Sequence, residues 1–211
     1  MNVIAQGAQY KVIDTHDGRV RKIPLTAQES QAVVKNWYMP GEAPAEELAI
    51  NYPELAIDSY QKVRELLHRY PELEYSFGYP DFENGGVYTQ DKVQTLAEAL
   101  TESSPSENKE LIDTYVNLVL FHWRYGLSER VFNCTVNNGV DKAGRMVLLD
   151  FGELTFDRQK VSSSIASKRW LQARSYTRDI PEQFKDYYDK TLTEQLSLQA
   201  LAKTWRVALK G

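Results

Sequence analysis

The chain has 211 residues, 42% hydrophobic and 26% charged, with a formal net charge of −4. That is enough for one sizeable domain or two small lobes, and the charge gives no general pull toward nucleic acid or an anionic membrane. The single cysteine, Cys134, excludes an internal disulfide and a cysteine-based metal cage, and fits a reducing compartment.

Met1-Asn2-Val3-Ile4 has no basic region followed by an apolar run, so no signal peptide is visible. No stretch approaches the roughly 20 apolar residues of a spanning helix. No internal repeat is visible either. A cytoplasmic location is the expectation.

Residues 3–24 read as two or three strands. Ile4 to Ile13 forms one hairpin arm kinked at Gly7, His16-Asp17-Gly18 a tight turn, and Arg19 to Pro24 the return strand. Residues 26–47 are poorly patterned. Trp37 and Tyr38 are expected to pack on the body, and Pro44 to start a short helix through Ile50. Pro53 to Arg69 is a helix by its spacing of Leu55, Tyr60, Val63, Leu66 and Leu67, with Pro53 in the first turn. Residues 73–93 read as two strands around Asn84-Gly85-Gly86, followed by a short helix at 96–100. A polar linker, with Ser106 as cap, leads into the best amphipathic helix. It carries Leu111, Ile112, Tyr115, Val116, Leu118, Val119 and His122, the last expected as a packed core histidine.

After Gly126 comes a loop, Leu127 to Asn133. A hairpin is expected over 132–149: a strand at Phe132 to Val136, turn signals at 137–139 and 142–144, and a return strand at Arg145 to Leu149. The return strand runs into Asp150-Phe151-Gly152-Glu153. Three aliphatic residues end in an acid, and Gly152 lets the backbone turn. A carboxylate fixed at a strand exit is well placed to hold a metal. Helices are expected at 165–174, at 181–192 and after Thr193.

The order helix, loop, Asn133, hairpin, Asp150-Phe151-Gly152 resembles the protein-kinase-like superfamily, in which the Asp of D-F-G and the catalytic-loop Asn hold Mg²⁺. The chain looks most like small bacterial kinase-like proteins of the PhoP regulatory network type. Those can carry a serine at the catalytic-Asp position, here Ser128, followed by four residues and an Asn. They also have a strand running into an acid and a Gly-Glu pair, comparable with Asp150 to Glu153, and a Trp- and Lys-rich helix comparable with Ser167-Lys168-Arg169-Trp170.

The resemblance implies an α+β, two-lobed minimal kinase-like fold, with a β-rich N-lobe over 1–93 and a helical C-lobe over 94–211. It implies Mg²⁺ and ATP in an inter-lobe cleft, with Asn133 and Asp150 on the metal. Gly7 would approach the phosphates and Lys22, preferred over Lys11, would reach them. Gln90, Asp91, Lys92 and Val93 would form the hinge to the base. The helix at 53–69 would supply an acid for Lys22 from Glu54, Asp58 or Glu65. The catalytic positions fall on Ser128, Glu129 and Asp150. A serine cannot take the substrate proton, and Glu129 is one residue out of register.

Two departures stand out, the single glycine of the glycine loop and the unassigned acid partner of Lys22, and no A-P-E-like anchor follows Glu153, which argues against an ordinary protein kinase. Three functions are therefore expected in turn: a kinase-like nucleotide-binding regulator with a regulatory protein partner, inactive or weakly active; an active small-molecule or protein kinase; and a non-catalytic α+β interaction protein. Neither a membrane nor nucleic acid is expected as a partner.

Overall fold

The computed structural model describes residues 2–37, 51–172 and 177–206. The chain divides into two compact units, Met1–Lys92 and Val93–Gly211. The class is the expected α+β: a small β-rich unit followed by a mainly helical one.

The first unit is built on a five-stranded antiparallel sheet in the order β1-β2-β3-β5-β4. The strands are β1 (Asn2–Gln6), β2 (Tyr10–Asp14), β3 (Arg19–Pro24), β4 (Asp81–Phe82) and β5 (Tyr88–Asp91). The kink expected at Gly7 is a full reversal, closed by the Gly7 N–H on the Tyr10 carbonyl at 2.9 Å. Val12, Lys22 and Tyr88 are directly opposite one another, so they share a face with Tyr10, Val20 and Gln90. Helix α2 (Tyr52–Arg69) covers that face. Its Ala56, Tyr60, Val63, Leu66 and Leu67 recur at helical spacing and are buried. The Tyr10 hydroxyl donates to the Ala56 carbonyl, and the Tyr60 ring meets those of Phe82 and Tyr88.

Two segments of this unit depart from the sequence expectation. Helix α1 (Ala27–Trp37) fills part of the unpatterned stretch. Its start is a reciprocal cap: the Thr26 N–H donates to Glu29, and the Glu29 N–H to the Thr26 hydroxyl. Residues 71–77 form a 3₁₀ helix rather than a strand. Pro71 starts it, Leu73 and Phe77 bury one helical turn apart, and Gly78 ends it at φ 66°. The Trp37 side chain, Tyr38 and the helix expected from Pro44 through Ile50 lie outside what the structure describes.

The second unit begins with β6 (Gln94–Thr95) and α3 (Leu96–Glu102), then α4 (Pro105–Trp123). Ser104, not Ser106, precedes α4: Pro105 takes the first helical position, and Glu107 accepts the Ser104 N–H at 2.7 Å. Ile112, Tyr115, Val116, Val119, His122 and Trp123 are buried along it. Strand β7 (Ser128–Glu129) pairs with β10 (Leu154–Thr155). Between them lie α5 (Cys134–Asn137) and the hairpin β8 (Asn138–Val140) and β9 (Met146–Leu148), which β6 extends to three strands. The strand expected at 132–136 is thus a left-handed residue followed by one helical turn. Phe132 lies at φ 54°, and the Asn137 N–H closes on the Asn133 carbonyl.

Helix α6 (Arg158–Ala166) is capped by Asp157, and Lys168 at φ 46° separates it from α7 (Arg169–Gln172), where one helix was expected. A 3₁₀ turn at Glu182–Phe184 leads into α8 (Lys185–Gln195). Ser197, rather than Thr193, caps α9 (Leu198–Thr204), accepting from the Ala200 N–H at 3.1 Å.

Candidate functional site

In the helical unit the sequence-predicted residues fall on two segments that the hairpin joins. The first is the loop from Ser128 to Asn137. The second is the exit of β9 into Asp150. The Leu149 N–H donates to the Asn137 carbonyl at 2.6 Å, and Asn138 pairs with Leu148. Asn133, four residues before that hydrogen bond, and Asp150, one residue after it, are thereby held on neighbouring backbone.

Phe132 fixes how the loop presents Asn133. A bulky residue in the left-handed region is strained, and surrounding packing must hold it there. The Phe132 ring is fully buried edge-on against Trp170 at 5.9 Å, and its carbonyl accepts from the Tyr188 hydroxyl at 3.4 Å. Asn133 follows, half-buried, with a buried Oδ1 that has no hydrogen-bond partner.

Asp150 is likewise half-buried at the end of a strand whose Val147 and Leu148 are buried. Its Oδ1 accepts the Gly152 N–H at 2.9 Å, which locks the carboxylate against the turn at Phe151–Glu153. Its Oδ2 takes no hydrogen bond among the described residues. Two oxygens, one amide and one carboxylate, are therefore placed on hydrogen-bonded backbone without donors among the described residues. Among the described residues no group of three or more His, Cys, Asp or Glu could hold a metal. The donor set suits Mg²⁺, which keeps several waters and takes one or two protein oxygens beside phosphate.

The catalytic positions are placed differently. Ser128 is 1% exposed; its hydroxyl accepts from Trp123 Nε1 at 3.0 Å and donates to the Glu129 carbonyl. The resemblance puts Ser128 at a substrate-facing position, whereas β7 pairing turns its side chain into the core. Glu129 is 3% exposed and accepts from Asn138 Nδ2 at 2.8 Å. Burial pushes its carboxyl up to about 7, against the pull of Asn138, Asn137 and Tyr115. Burial also raises Glu153, while Arg130 at 3.5 Å pulls it back. His122, 2% exposed, is pushed down to about 3 by burial and so stays neutral.

In the β-rich unit Lys22 is 7% exposed on the sheet face that α2 covers, its Nζ 5.8 Å from the centre of the Tyr88 ring. Glu54, Asp58 and Glu65 are all on the exposed side, and Asp58 pairs with Lys62 at 2.7 Å. Among the described residues, Lys11 of β2 pairs with Glu29 of α1 at 3.0 Å. Backbone hydrogen bonds from Thr26 and this lysine hold Glu29 down to about 2.

Gly7 is part of a closed turn, and a Cβ there would meet nothing nearer than the Tyr10 carbonyl at 4.0 Å. No close approach requires glycine. In the hinge segment, the Asp91 N–H donates to the Gly78 carbonyl and the Lys92 N–H to Gly18, so neither is open to a base. Lys92 Nζ binds Asp14 at 2.6 Å. Gln90 is fully buried with both amide atoms unpaired, and Val93 begins the second unit.

No family model and no curated protein matches the chain. Among solved structures it is similar to the complex of Rv3197 with erythromycin from Mycobacterium tuberculosis, with a TM-score of 0.46 and 15% identity over 92% of this chain and 53% of that one. It is also similar to the Rio2 kinase–ADP/Mg²⁺–phosphoaspartate complex from Chaetomium thermophilum, with a TM-score of 0.45 and 16% identity over 97% of this chain and 67% of that one. The chain spans about half the length of the first and two thirds of the second.

Proposed function

We propose that the chain is a kinase-like, nucleotide-binding regulatory protein, inactive or weakly active in phosphoryl transfer. The observation that carries this reading is the contrast within one loop. Asn133 and Asp150 are half-buried and each keeps an oxygen with no hydrogen-bond donor among the described residues, Asn133 Oδ1 and Asp150 Oδ2, whereas Ser128 and Glu129 are buried and engaged.

The metal half of the site suits Mg²⁺ and a nucleotide's phosphates. Asn133 Oδ1 and Asp150 Oδ2 would hold the metal, which supplies charge neutralisation for the phosphates when bound. Lys22, on the β-rich unit, is the proposed phosphate-side lysine. With Ser128 and Glu129 inside the core, no general base faces a substrate hydroxyl from this loop. That supports a binding and signalling role, with the output carried to a protein partner. No helix among the described residues is long and apolar enough to cross a membrane.

The test is thermal unfolding with and without Mg²⁺–ATP. Binding to the native state stabilises it by about 2.7 kcal/mol at a hundredfold excess over Kd. The expected result is a shift in Tm that requires Mg²⁺ and is lost in Asp150→Ala, with ATP turnover absent or low. A shift that persists in Asp150→Ala removes the carboxylate from the metal role, and no shift in the wild type rejects the reading.

A further inference from the structure

A second group of buried polar atoms in the helical unit surrounds Glu129. Asn138 and Tyr115 are fully buried, Asn137 is 2% exposed and Glu129 itself 3%. One hydrogen bond, Asn138 Nδ2 to Glu129 Oε1 at 2.8 Å, joins the carboxyl to the carboxamide. Among the described residues the other oxygens of those two groups, Glu129 Oε2 and Asn138 Oδ1, are buried without a hydrogen bond, as are the donors Asn137 Nδ2 and the Tyr115 hydroxyl, both of which act on Glu129.

The surroundings offer a buried carboxylate neutral donors but no countercharge. From α4 comes Tyr115, from α5 Cys134 and Asn137, from β8 Asn138, from α8 Tyr188, and from the turn after β9 Glu153. Burial raises Tyr115 and Tyr188 well above the usual phenol range and Cys134 to about 12, so all three stay neutral. Glu153 opposes a charge on Glu129, and the nearby guanidinium of Arg130 is turned to Glu153 at 3.5 Å.

A proton on Oε2 removes both difficulties. It makes the carboxyl neutral, and it supplies the donor that Asn138 Oδ1 lacks. We propose that Glu129 is a neutral carboxylic acid in the folded protein, joined to the Asn138 carboxamide by two hydrogen bonds, and that this pair is a proton-dependent clasp between β7 and the β8–β9 hairpin. The clasp closes the loop that carries Phe132 and Asn133. It stands on the Glu129 geometry alone and does not require the nucleotide reading.

The sign follows from which state holds the proton more tightly. The folded acid, raised to about 7 from 4.5, keeps its proton where the unfolded chain has lost it. The clasp's contribution is therefore complete below 4.5 and lost as pH rises through 7. Over that window the unfolding constant rises about tenfold per pH unit.

The experiment compares the full chain with Glu129→Gln. The glutamine NH₂ donates to Asn138 Oδ1 and its carbonyl accepts from Asn138 Nδ2, so the clasp is retained without a titrating group. Urea unfolding is measured from pH 5 to 8.5. The expected result is a ratio of wild-type to variant unfolding constants that rises on the order of 100-fold across the range. His122 is common to both proteins and cancels in the ratio. A ratio that stays constant overturns the proposal. Infrared spectroscopy of the wild type gives a second readout: the carbonyl stretch of a protonated buried carboxyl at pH 6, lost by pH 8.5 and absent from the variant. Should the variant fail to fold, the wild-type infrared titration decides, and an ionised Glu129 at pH 6 overturns the clasp.

Discussion

Replacing Ser128 by aspartate puts a carboxylate at the position that the kinase resemblance names as catalytic, yet the structure predicts loss of stability and no gain in transfer. The side chain is 1% exposed, and the donor it meets is the Trp123 indole at 3.0 Å. An aspartate there brings a charge and a second oxygen into the same core. Glu129, the next residue, shows what such burial does to a carboxyl: it is pushed from 4.5 up to about 7. A comparable lift at 128 costs about 1.4 kcal/mol per pH unit, or about 3 kcal/mol near pH 7. Overpacking adds about 1–3 kcal/mol, and the indole hydrogen bond offsets about 1.5. A net loss of about 4 kcal/mol is a large part of the 5–15 kcal/mol typical of a domain. At a urea m-value of about 2 kcal/mol/M the midpoint falls by about 2 M. Ser128→Ala is the control, costing about 1–3 kcal/mol through the unpaired indole N–H. An aspartate variant as stable as wild type, with phosphoryl transfer raised about 10²-fold or more, would refute the assignment of Ser128 to the core.

Two further outcomes are expected. Phe132→Ala should cost about 3–5 kcal/mol by urea unfolding because the ring fills the space against Trp170, and Phe132→Gly should cost no more than Phe132→Ala, since φ 54° favours glycine; a glycine variant clearly less stable than alanine would deny the backbone strain. His122, held neutral to about 3 against 6.5 unfolded, contributes stability that is complete above 6.5 and lost as pH falls, at about 1.4 kcal/mol per pH unit; the advantage of wild type over His122→Gln in urea midpoint should shrink between pH 6.5 and 4, and a constant difference would rule this out.

The parts of the fold visible in the sequence are those with a strong period or a strong stop. The α2 helix follows from Pro53 and the spacing of Tyr60, Val63, Leu66 and Leu67, and the buried run Val147–Leu148 leads into Asp150, which caps the turn at Phe151–Glu153 through the Gly152 N–H rather than through a positive φ at Gly152. Lys22 is readable as a strand lysine from the Asp17-Gly18 turn before it. The start of α1 was also readable in principle, since Thr26 and Glu29 have capping-box spacing, though no apolar stripe follows to draw the eye. Other features carry no local signal. Residues 73–77 have aromatic, strand-like composition, but Leu73 and Phe77 bury on a helical period. Nothing in Phe132 announces a positive φ. The burial of Ser128 and Glu129 comes from a two-residue pairing with Leu154–Thr155, more than twenty residues away, which no window of sequence contains.

That pairing also explains why the loop divides at Phe132. Before it, β7 is held by β10 on its backbone and by Trp123 and Asn138 on its side chains, so residues 128 and 129 point into the core. After it, the left-handed residue redirects the chain, and Asn133 emerges half-exposed at the start of α5 beside the segment that presents Asp150. The two halves answer to different partners. The half carrying Asn133 and Asp150 depends on the hairpin and on the packing of Phe132, whereas the buried half depends on Trp123, Asn138 and β10. A change confined to residue 128 leaves all three of those in place, so it adds a charge to the core without moving the loop outward. An outward-facing acid requires β7 to be released from its neighbours first, and the Glu129–Asn138 pair is the contact in that set whose strength pH can alter.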